Sequence, residues 1–323
     1  PTCADITAET EQMFANAGQD IPPIELDDPY GEIEYLKKMI DKNSDWDEQV
    51  QAMEHLTGLI NGNALENEAF RHELPSLYTG LSDAVKNLRS ALVKRSCLLI
   101  SQLAREMGNS FDRFGDFITS LSTQLSHGTQ IIAESCKYTI LIIVKHCQTR
   151  KILSSIIDLS SKKGSPSRNV TSESYFIIIS TWNLDSFQSF WKTLEKSIIE
   201  LCSDASPDAR SFARDSILQL AEKDPKKASA IILKLDPRTR KKFEHLKLNL
   251  GDEEAVYEPV NSTKKPTRAP SPRIPVKKLK ISDDLHQNEI IEEVRPKNHS
   301  IAQKPKKSDS NANPKISKNP PKS

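Results

Sequence analysis

The chain has 323 residues, of which 37% are apolar and 28% are charged. Its longest strongly apolar run, residues 138–144, is much shorter than the roughly 20 residues that span a bilayer, and no secretion signal opens the sequence. The ten glycines form no phosphate-binding motif and the five cysteines form no C-x-x-C pair, which disfavours nucleotide-binding, zinc-knuckle and disulfide-framework proteins. We therefore expect a cytoplasmic protein with neither a membrane segment nor a cofactor.

The formal net charge of +1 conceals an uneven distribution. Residues 1–30 contain seven acids and no lysine or arginine, whereas residues 260–323 contain 15 bases and six acids. The first segment also contains the Pro22-Pro23 pair, and we predict that residues 1–30 form a flexible acidic segment. Charge blocks at the ends of a chain are typical of interaction segments.

Residues 31–250 have the apolar spacing of helices, with recurrences at intervals of three and four residues. Helix-breaking and N-capping residues recur near positions 45, 87, 129, 167 and 206, which gives a mean step of about 40 residues. This step is typical of HEAT repeats, in which each repeat is a pair of helices. The predicted fold is therefore all-α, an α-solenoid of about six helix pairs. The alternative is an irregular helical bundle.

In such a solenoid the loops within the pairs line up along one edge, where they form an extended surface for a large partner. Trp46 lies at the first of these loops, and its alternative role is to pack on the neighbouring helix. Bases lie at or near the later loops, and the candidates are Lys86, Arg89, Lys94, Arg95, Lys162, Lys163, Arg168, Arg210 and Arg214. These bases favour an acidic protein partner, because complementary charge speeds encounter and fixes register.

No catalytic constellation emerges from the sequence. No pair of histidines has the i, i+4 spacing of a metal site, and His146-Cys147 is better explained as a packed cysteine beside a surface histidine than as a nucleophile. Nucleic acid is disfavoured as a partner of the folded part, because its bases have no interleaved aromatic residues for stacking. We therefore expect no enzyme and no small-molecule substrate.

Residues 251–323 are predicted to be a disordered basic tail. From residue 258 onward there is no aromatic residue, and ten of the chain's 19 prolines lie there. Within this tail, Arg273, Ile274 and Pro275 approach the S-x-I-P motif that recruits end-binding proteins, but Pro272 occupies the serine position. The adjoining residues 275–280 are also similar to a nuclear localisation stretch.

Four stretches at or near the loops carry a family resemblance. They are SDWDEQVQAMEHL (44–56), KNLRSALVKRSC (86–97), GNSFD (108–112) and DASPDARSFARDS (204–216). In this order and spacing they resemble the CLASP (Mast/Orbit/Stu1) type of TOG domain over roughly residues 31–250. The resemblance implies six HEAT repeats whose loop edge docks on αβ-tubulin.

The resemblance further implies a role for each candidate residue. Trp46 would contact β-tubulin with support from Arg89 and Lys94, and the later loops would reach α-tubulin through Arg168, Arg210 and Arg214. Such domains are thought to stabilise microtubule ends, so the expected location is the cytoskeleton, including the mitotic spindle.

The sequence also departs from the family pattern. The third loop lacks the lysine that is often present there, and the chain has room for one TOG domain whereas CLASP proteins usually carry several. The alternative function is a HEAT-repeat adaptor for another protein partner, such as a kinetochore, transport or phosphatase assembly. A HEAT-like DNA-repair glycosylase is disfavoured, because no basic channel with an aromatic residue and a carboxylate is evident.

Overall fold

The computed structural model describes residues 3–244, with side chains from residue 9 onward. Within this range the secondary structure is helical and contains no strand, which confirms the predicted all-α solenoid. No helix in the described range has the length and apolar character needed to cross a bilayer. The predictions for residues 251–323, including Arg273, Ile274 and Pro275, lie outside the described residues.

The helices form six successive pairs after a first single helix. Helix α1 is Cys3–Ala15, and the pairs are α2 (Pro29–Met39) with α3 (Trp46–Asn61); α4 (Glu68–Glu73) and α5 (Tyr78–Val85) with α6 (Ser90–Met107); α7 (Phe117–Ser122) with α8 (Gln130–His146); α9 (Arg150–Ser160) with α10 (Ser165–Thr181); α11 (Trp191–Cys202) with α12 (Pro207–Lys223); and α13 (Pro225–Lys234) with α14 (Pro237–Arg240). Short 3₁₀ turns at Ala64–Glu66, Leu74–Leu77, Gly108–Phe114, Leu184–Phe190 and Lys241–Phe243 complete the described chain.

Capping side chains fix where many of these helices begin. The carboxylates of Asp28, Asp116 and Asp224 accept backbone N–H groups from the first turns of α2, α7 and α13. Each cap satisfies one of the donors that a helix start leaves unpaired. Helices α3, α6, α8, α10 and α12 begin close to the predicted breakers, but without a hydrogen bond from the N-cap side chain. The predicted side-chain capping is therefore wrong at these five starts.

The pairs stack so that the second helices α3, α6, α8, α10 and α12 form one layer and the first helices form another. Equivalent positions of neighbouring repeats contact each other. The hydroxyl oxygens of Ser82 and Ser120 are 2.7 Å apart, and the Trp182 indole N–H donates to the Val144 carbonyl at 2.9 Å. Both contacts join residues 38 positions apart, in agreement with the predicted repeat of about 40 residues.

The N-terminal segment packs on the solenoid, so the prediction of a flexible segment at residues 1–30 is wrong for its described side chains. Phe14 is fully buried, and its ring centroid lies 6.0 Å from that of Tyr138 on α8. The Arg105 guanidinium on α6 donates to the carbonyls of Ala15 and Ala17, at 3.0 and 2.9 Å. One buried aromatic ring and one cation therefore anchor a segment whose composition is otherwise that of a flexible acidic tail.

The same segment continues across the first repeat. Asn61 donates to the carbonyls of Gly18 and Ile21 at 2.8 and 2.7 Å, and the Ile24 N–H donates to the Gly58 carbonyl at 2.9 Å. These hydrogen bonds satisfy backbone groups that an irregular segment would otherwise leave to water. The folded domain therefore begins well before residue 31.

Candidate functional site

In each of the six pairs, one connection joins the first helix to the second. We call these six connections the loop edge, and they are residues 40–45, 86–89, 123–129, 161–164, 203–206 and 235–236. Side chains connect neighbouring loops. Lys162 donates from the fourth loop to the Ser122 hydroxyl beside the third at 2.6 Å, and Arg168 after the fourth pairs with Asp204 in the fifth. The third, fourth and fifth loops are therefore joined side by side along the solenoid.

Trp46 and Arg89 meet at the first two loops. The guanidinium carbon of Arg89 lies 5.1 Å from the centroid of the Trp46 ring, within the range of a cation–π contact. Trp46 is 37% exposed and Arg89 is exposed, so the pair faces solvent. From the sequence, the Trp46 side chain could be either exposed or packed on the neighbouring helix. In the structure it lies at the surface.

The first loop is held by local hydrogen bonds. The Ser44 hydroxyl donates to the Lys38 carbonyl at 2.9 Å, and the buried Gln49 amide donates to the Ser44 carbonyl, also at 2.9 Å. On the second loop, the Asn87 side-chain oxygen accepts the Arg89 N–H at 2.9 Å. Trp46 and Arg89 therefore project from fixed backbone.

Leu88 is a further surface residue that sequence reasoning missed. Its side chain is 85% exposed, next to Arg89 on the second loop. Single exposed apolar residues are common, but this one is next in sequence to Arg89, whose guanidinium contacts the exposed Trp46. The signal that could have found it is its place among the polar residues between two helices, where no core position is expected.

Arg168 and Arg210 converge on Asp204. The Nε atom of Arg168 lies 2.6 Å from the Asp204 carboxylate, and the same guanidinium donates to the Lys163 carbonyl. Arg210 donates to the carbonyls of Asp204 and Ala205 at 2.6 and 2.8 Å. Both arginines are half-buried, so they hold the fourth and fifth loops together more than they project as free cations.

Arg95 is buried and donates to the Thr57 hydroxyl, so its prediction as a base of the second loop is wrong. Arg214 and Lys94 lie apart from the contacts at Asp204. Arg214 is half-buried one turn further along α12. Lys94 lines a groove against the N-terminal segment, together with Glu9, Asn16 and Asp20. Among the described residues, Lys163 is exposed and forms no salt bridge, so it is a freer cation of the fourth loop than Arg168.

Cys147 and His146 have the features of packed side chains and not of a nucleophile with its base. Burial raises the pKa of the Cys147 thiol to about 12, and burial lowers the pKa of its neighbour His146. Cys147 is fully buried, with its sulfur 3.6 Å from the Ala104 carbonyl oxygen, so a packing role explains it. Within the described residues, no group of histidine, cysteine or acidic side chains is arranged to hold a metal ion.

Several solved structures are similar to this chain. One comes from work on TOG–tubulin binding specificity in microtubule dynamics and spindle formation, with 12% identity, a TM-score of 0.46, and coverage of 70% of this chain and 96% of that one. Another, the structure of a crescerin TOG domain, has 15% identity and a TM-score of 0.46, and the match covers 64% of this chain and 85% of that one.

Curated relatives share more sequence. An uncharacterised protein of Dictyostelium discoideum is 26% identical over 252 residues, which is 73% of this chain and 30% of that protein. CLIP-associating protein 1-B of Xenopus laevis is 24% identical over 63% of this chain, and the CLIP-associating protein of Drosophila melanogaster is 22% identical over 76%. The aligned part is 14% of the Xenopus protein and 17% of the Drosophila protein, so the chain corresponds to a minor part of either.

A family model described as "CLASP N terminal" matches residues 33–244, which is more than half of the chain. The matched range begins in α2 and ends at the last described residue, so it contains the six helix pairs and the loop edge. The chain therefore belongs to the CLASP N-terminal family and carries a TOG domain of the CLASP type.

Proposed function

We propose that this chain is a microtubule-associated protein that binds αβ-tubulin through the loop edge of its TOG domain and stabilises microtubule ends. The exposed Trp46–Arg89 pair at the start of the edge is the observation that best supports the proposal. Membership of the CLASP N-terminal family is the second support. Tubulin is the partner that the family resemblance implies, and its acidic surface suits a partner that presents cations along an edge.

The first two loops would supply the anchoring contact. A large aromatic side chain with an adjacent arginine is the composition that is enriched where interfaces concentrate their binding energy. Leu88 adds exposed apolar surface beside the pair. Because the backbone of both loops is fixed by hydrogen bonds, little ordering is needed on binding, which preserves affinity.

The fourth and fifth loops would supply charge. Lys162 and Lys163 are exposed there, and we propose them as the direct contacts. Arg168 and Arg210 would act by holding Asp204 and the loop backbone in place, with any contact to tubulin secondary. Arg214 and Lys94 are half-buried, and we assign them a lesser part.

The remaining expectations belong to the same proposal. The chain would act by binding, without catalysis, at microtubules and the mitotic spindle. The basic residues of 260–323 would hold the domain near the acidic lattice, which raises its effective concentration. Arg273, Ile274 and Pro275 would offer a weak contact for end-binding proteins, and the basic run at 275–280 a nuclear import signal.

Co-sedimentation with microtubules tests the proposal. We expect the full chain to sediment with microtubules, and a chain that lacks residues 260–323 to bind more weakly. Its affinity should also depend less on salt, because the deletion removes nine net positive charges and exposed charges are the ones that salt screens. The measurement is the bound fraction at two salt concentrations.

Each outcome has a distinct meaning. Equal salt dependence of the two chains would show that the tail is not the electrostatic anchor. No sedimentation of the full chain, and no complex with unpolymerised tubulin, would contradict the proposed function and favour an adaptor for a different protein.

A further inference from the structure

The sixth repeat carries a group of cations that the sequence analysis did not assign to the edge. Between residues 223 and 244 the chain has eight lysines and arginines and three acids. Residues 9–62, at the other end of the solenoid, have 13 acids and three bases. The domain therefore has one acidic and one basic end.

Internal contacts occupy part of the basic end. Lys227 pairs with Asp224 at 2.8 Å, Lys234 pairs with Glu195 at 2.8 Å, and Arg240 donates to the Leu233 and Leu235 carbonyls. Lys226, Arg238, Lys241 and Lys242 are exposed and, among the described residues, form no salt bridge. Lys226 lies at the start of α13, whereas Arg238, Lys241 and Lys242 follow the sixth loop. We call these three side chains the sixth-repeat cluster.

The sixth-repeat cluster is held on fixed backbone. Asp236, in the sixth loop of the edge, accepts the N–H groups of Arg238 and Thr239 at 3.0 and 3.1 Å. Hydrogen bonds from Thr239 and Arg238 hold the pKa of Asp236 below its ordinary value, so the cap keeps its charge near neutral pH. Leu235 and Phe243 are buried on either side of the cluster.

The spacing of the cluster places its cations together. Positions 241 and 242 lie three and four residues after position 238, so each is a neighbour of Arg238 on the short helical turn. The turn follows directly on the sixth loop, as α6 and α10 follow the second and fourth loops. The cluster therefore lies at the last repeat of the loop edge, directly after its sixth loop.

We propose that the sixth-repeat cluster binds a short run of carboxylates on the protein partner of the loop edge. This inference rests on the proposed function and names the chemistry that the partner presents at one end of the footprint. An acidic protein segment fits better than nucleic acid, because the excess of bases over acids is concentrated in the last repeat and the opposite end is acidic. In addition, the large apolar side chains that are exposed in the described residues all lie in the first two repeats, so stacked bases would have no platform here.

The consequence is a defined orientation. The acidic first repeat would be repelled by the carboxylates that attract the sixth repeat, so the partner would meet the edge in one direction. Trp46 would then anchor one end of the contact and the sixth-repeat cluster would guide the other.

The test uses the full chain, unpolymerised αβ-tubulin as the probe, and two matched charge reversals. Lys241→Glu with Lys242→Glu alters the cluster. Lys192→Glu with Lys196→Glu makes the same charge change on exposed residues of α11, away from the loops. We expect the cluster variant to bind tubulin about 5- to 10-fold more weakly at low salt, and less than about 2-fold more weakly at 0.3 M salt, while the control stays within about 2-fold of the parent. Zero-length carbodiimide cross-linking should join Lys241 or Lys242 of the parent to tubulin carboxylates.

Equal losses in the two variants would overturn the inference, because net charge alone would then explain them. So would an absence of cross-links at Lys241 and Lys242 when Lys162 and Lys163 form them. If Trp46→Ala weakens binding and the cluster variant does not, the inference fails and the proposed function stands. If the parent does not bind tubulin at all, both fail.

Discussion

Replacing Trp46 and Arg89 together by alanine is expected to weaken binding to αβ-tubulin at least tenfold and to leave the helical content unchanged. Truncation of an anchoring aromatic or arginine residue at an interface commonly costs about 2 kcal/mol or more, and a tenfold loss corresponds to about 1.4 kcal/mol. Both side chains face solvent in the unbound chain, so their removal opens no core cavity. The measurement is a tubulin binding titration, with far-ultraviolet circular dichroism as the folding check.

The matched control replaces an exposed aromatic residue and an exposed arginine elsewhere. Tyr35 is 45% exposed on α2, and Arg71 is exposed on α4. Alanine at both of these positions should leave the affinity for tubulin within about twofold of the parent, since neither lies in the loop edge. Equal affinities of the Trp46–Arg89 variant and the parent would remove Trp46 as the anchor.

Replacing Trp182 by alanine is expected to produce the largest loss of stability in the domain. The side chain is 1% exposed, and its indole N–H donates to the Val144 carbonyl of the preceding repeat at 2.9 Å. Removing a buried ring of this size typically lowers the free energy of unfolding by about 3–5 kcal/mol. In addition, the Val144 carbonyl loses its partner across the interface between repeats.

Two further variants separate packing from hydrogen bonding. Trp182→Phe keeps most of the apolar volume and should cost about 1–3 kcal/mol, chiefly from the unpaired carbonyl and the smaller ring. Trp191→Ala should cost less than Trp182→Ala, because Trp191 is only half-buried. Urea unfolding followed by circular dichroism measures all three free energies. A Trp182→Ala domain as stable as the parent would contradict the tight packing between the fourth repeat and its neighbour.

The repeat architecture could be predicted because two local signals agree. Apolar spacing marks the buried face of each helix, and helix-breaking residues mark where α3, α6, α8, α10 and α12 begin. The prediction is poorest where local signals are short. In the last pair, α14 ends at Arg240 and continues as a 3₁₀ turn through Phe243 in the described range.

The N-terminal segment could not be predicted from its own composition. Its docking depends on Phe14 reaching Tyr138, and on Arg105 reaching two carbonyls about 90 positions earlier in the chain. A sequence pattern within residues 1–30 contains neither partner. Long-range contacts of this kind override a local composition that is otherwise typical of a flexible segment.

The positions of the candidate site residues could be predicted from the sequence, but their side-chain contacts could not. The sequence placed Trp46 and Arg89 at neighbouring loops of one edge, and the structure brings their side chains into contact. From the sequence, Arg168 and Arg210 were predicted to be surface cations. Nothing near them in the sequence indicates that both would bond to Asp204, which is 36 residues from Arg168. Positions along the edge follow from the repeat period, whereas side-chain partners depend on contacts between repeats.

Site-specific photo-cross-linking tests most directly whether the loop edge is the tubulin-binding surface. A benzophenone side chain in place of the exposed Leu88 should form an adduct with αβ-tubulin on irradiation. The same group in place of Gln188, which is exposed in the connection between the fourth and fifth pairs, should form little or none. Adducts from position 188 without adducts from position 88 would contradict the proposed interface.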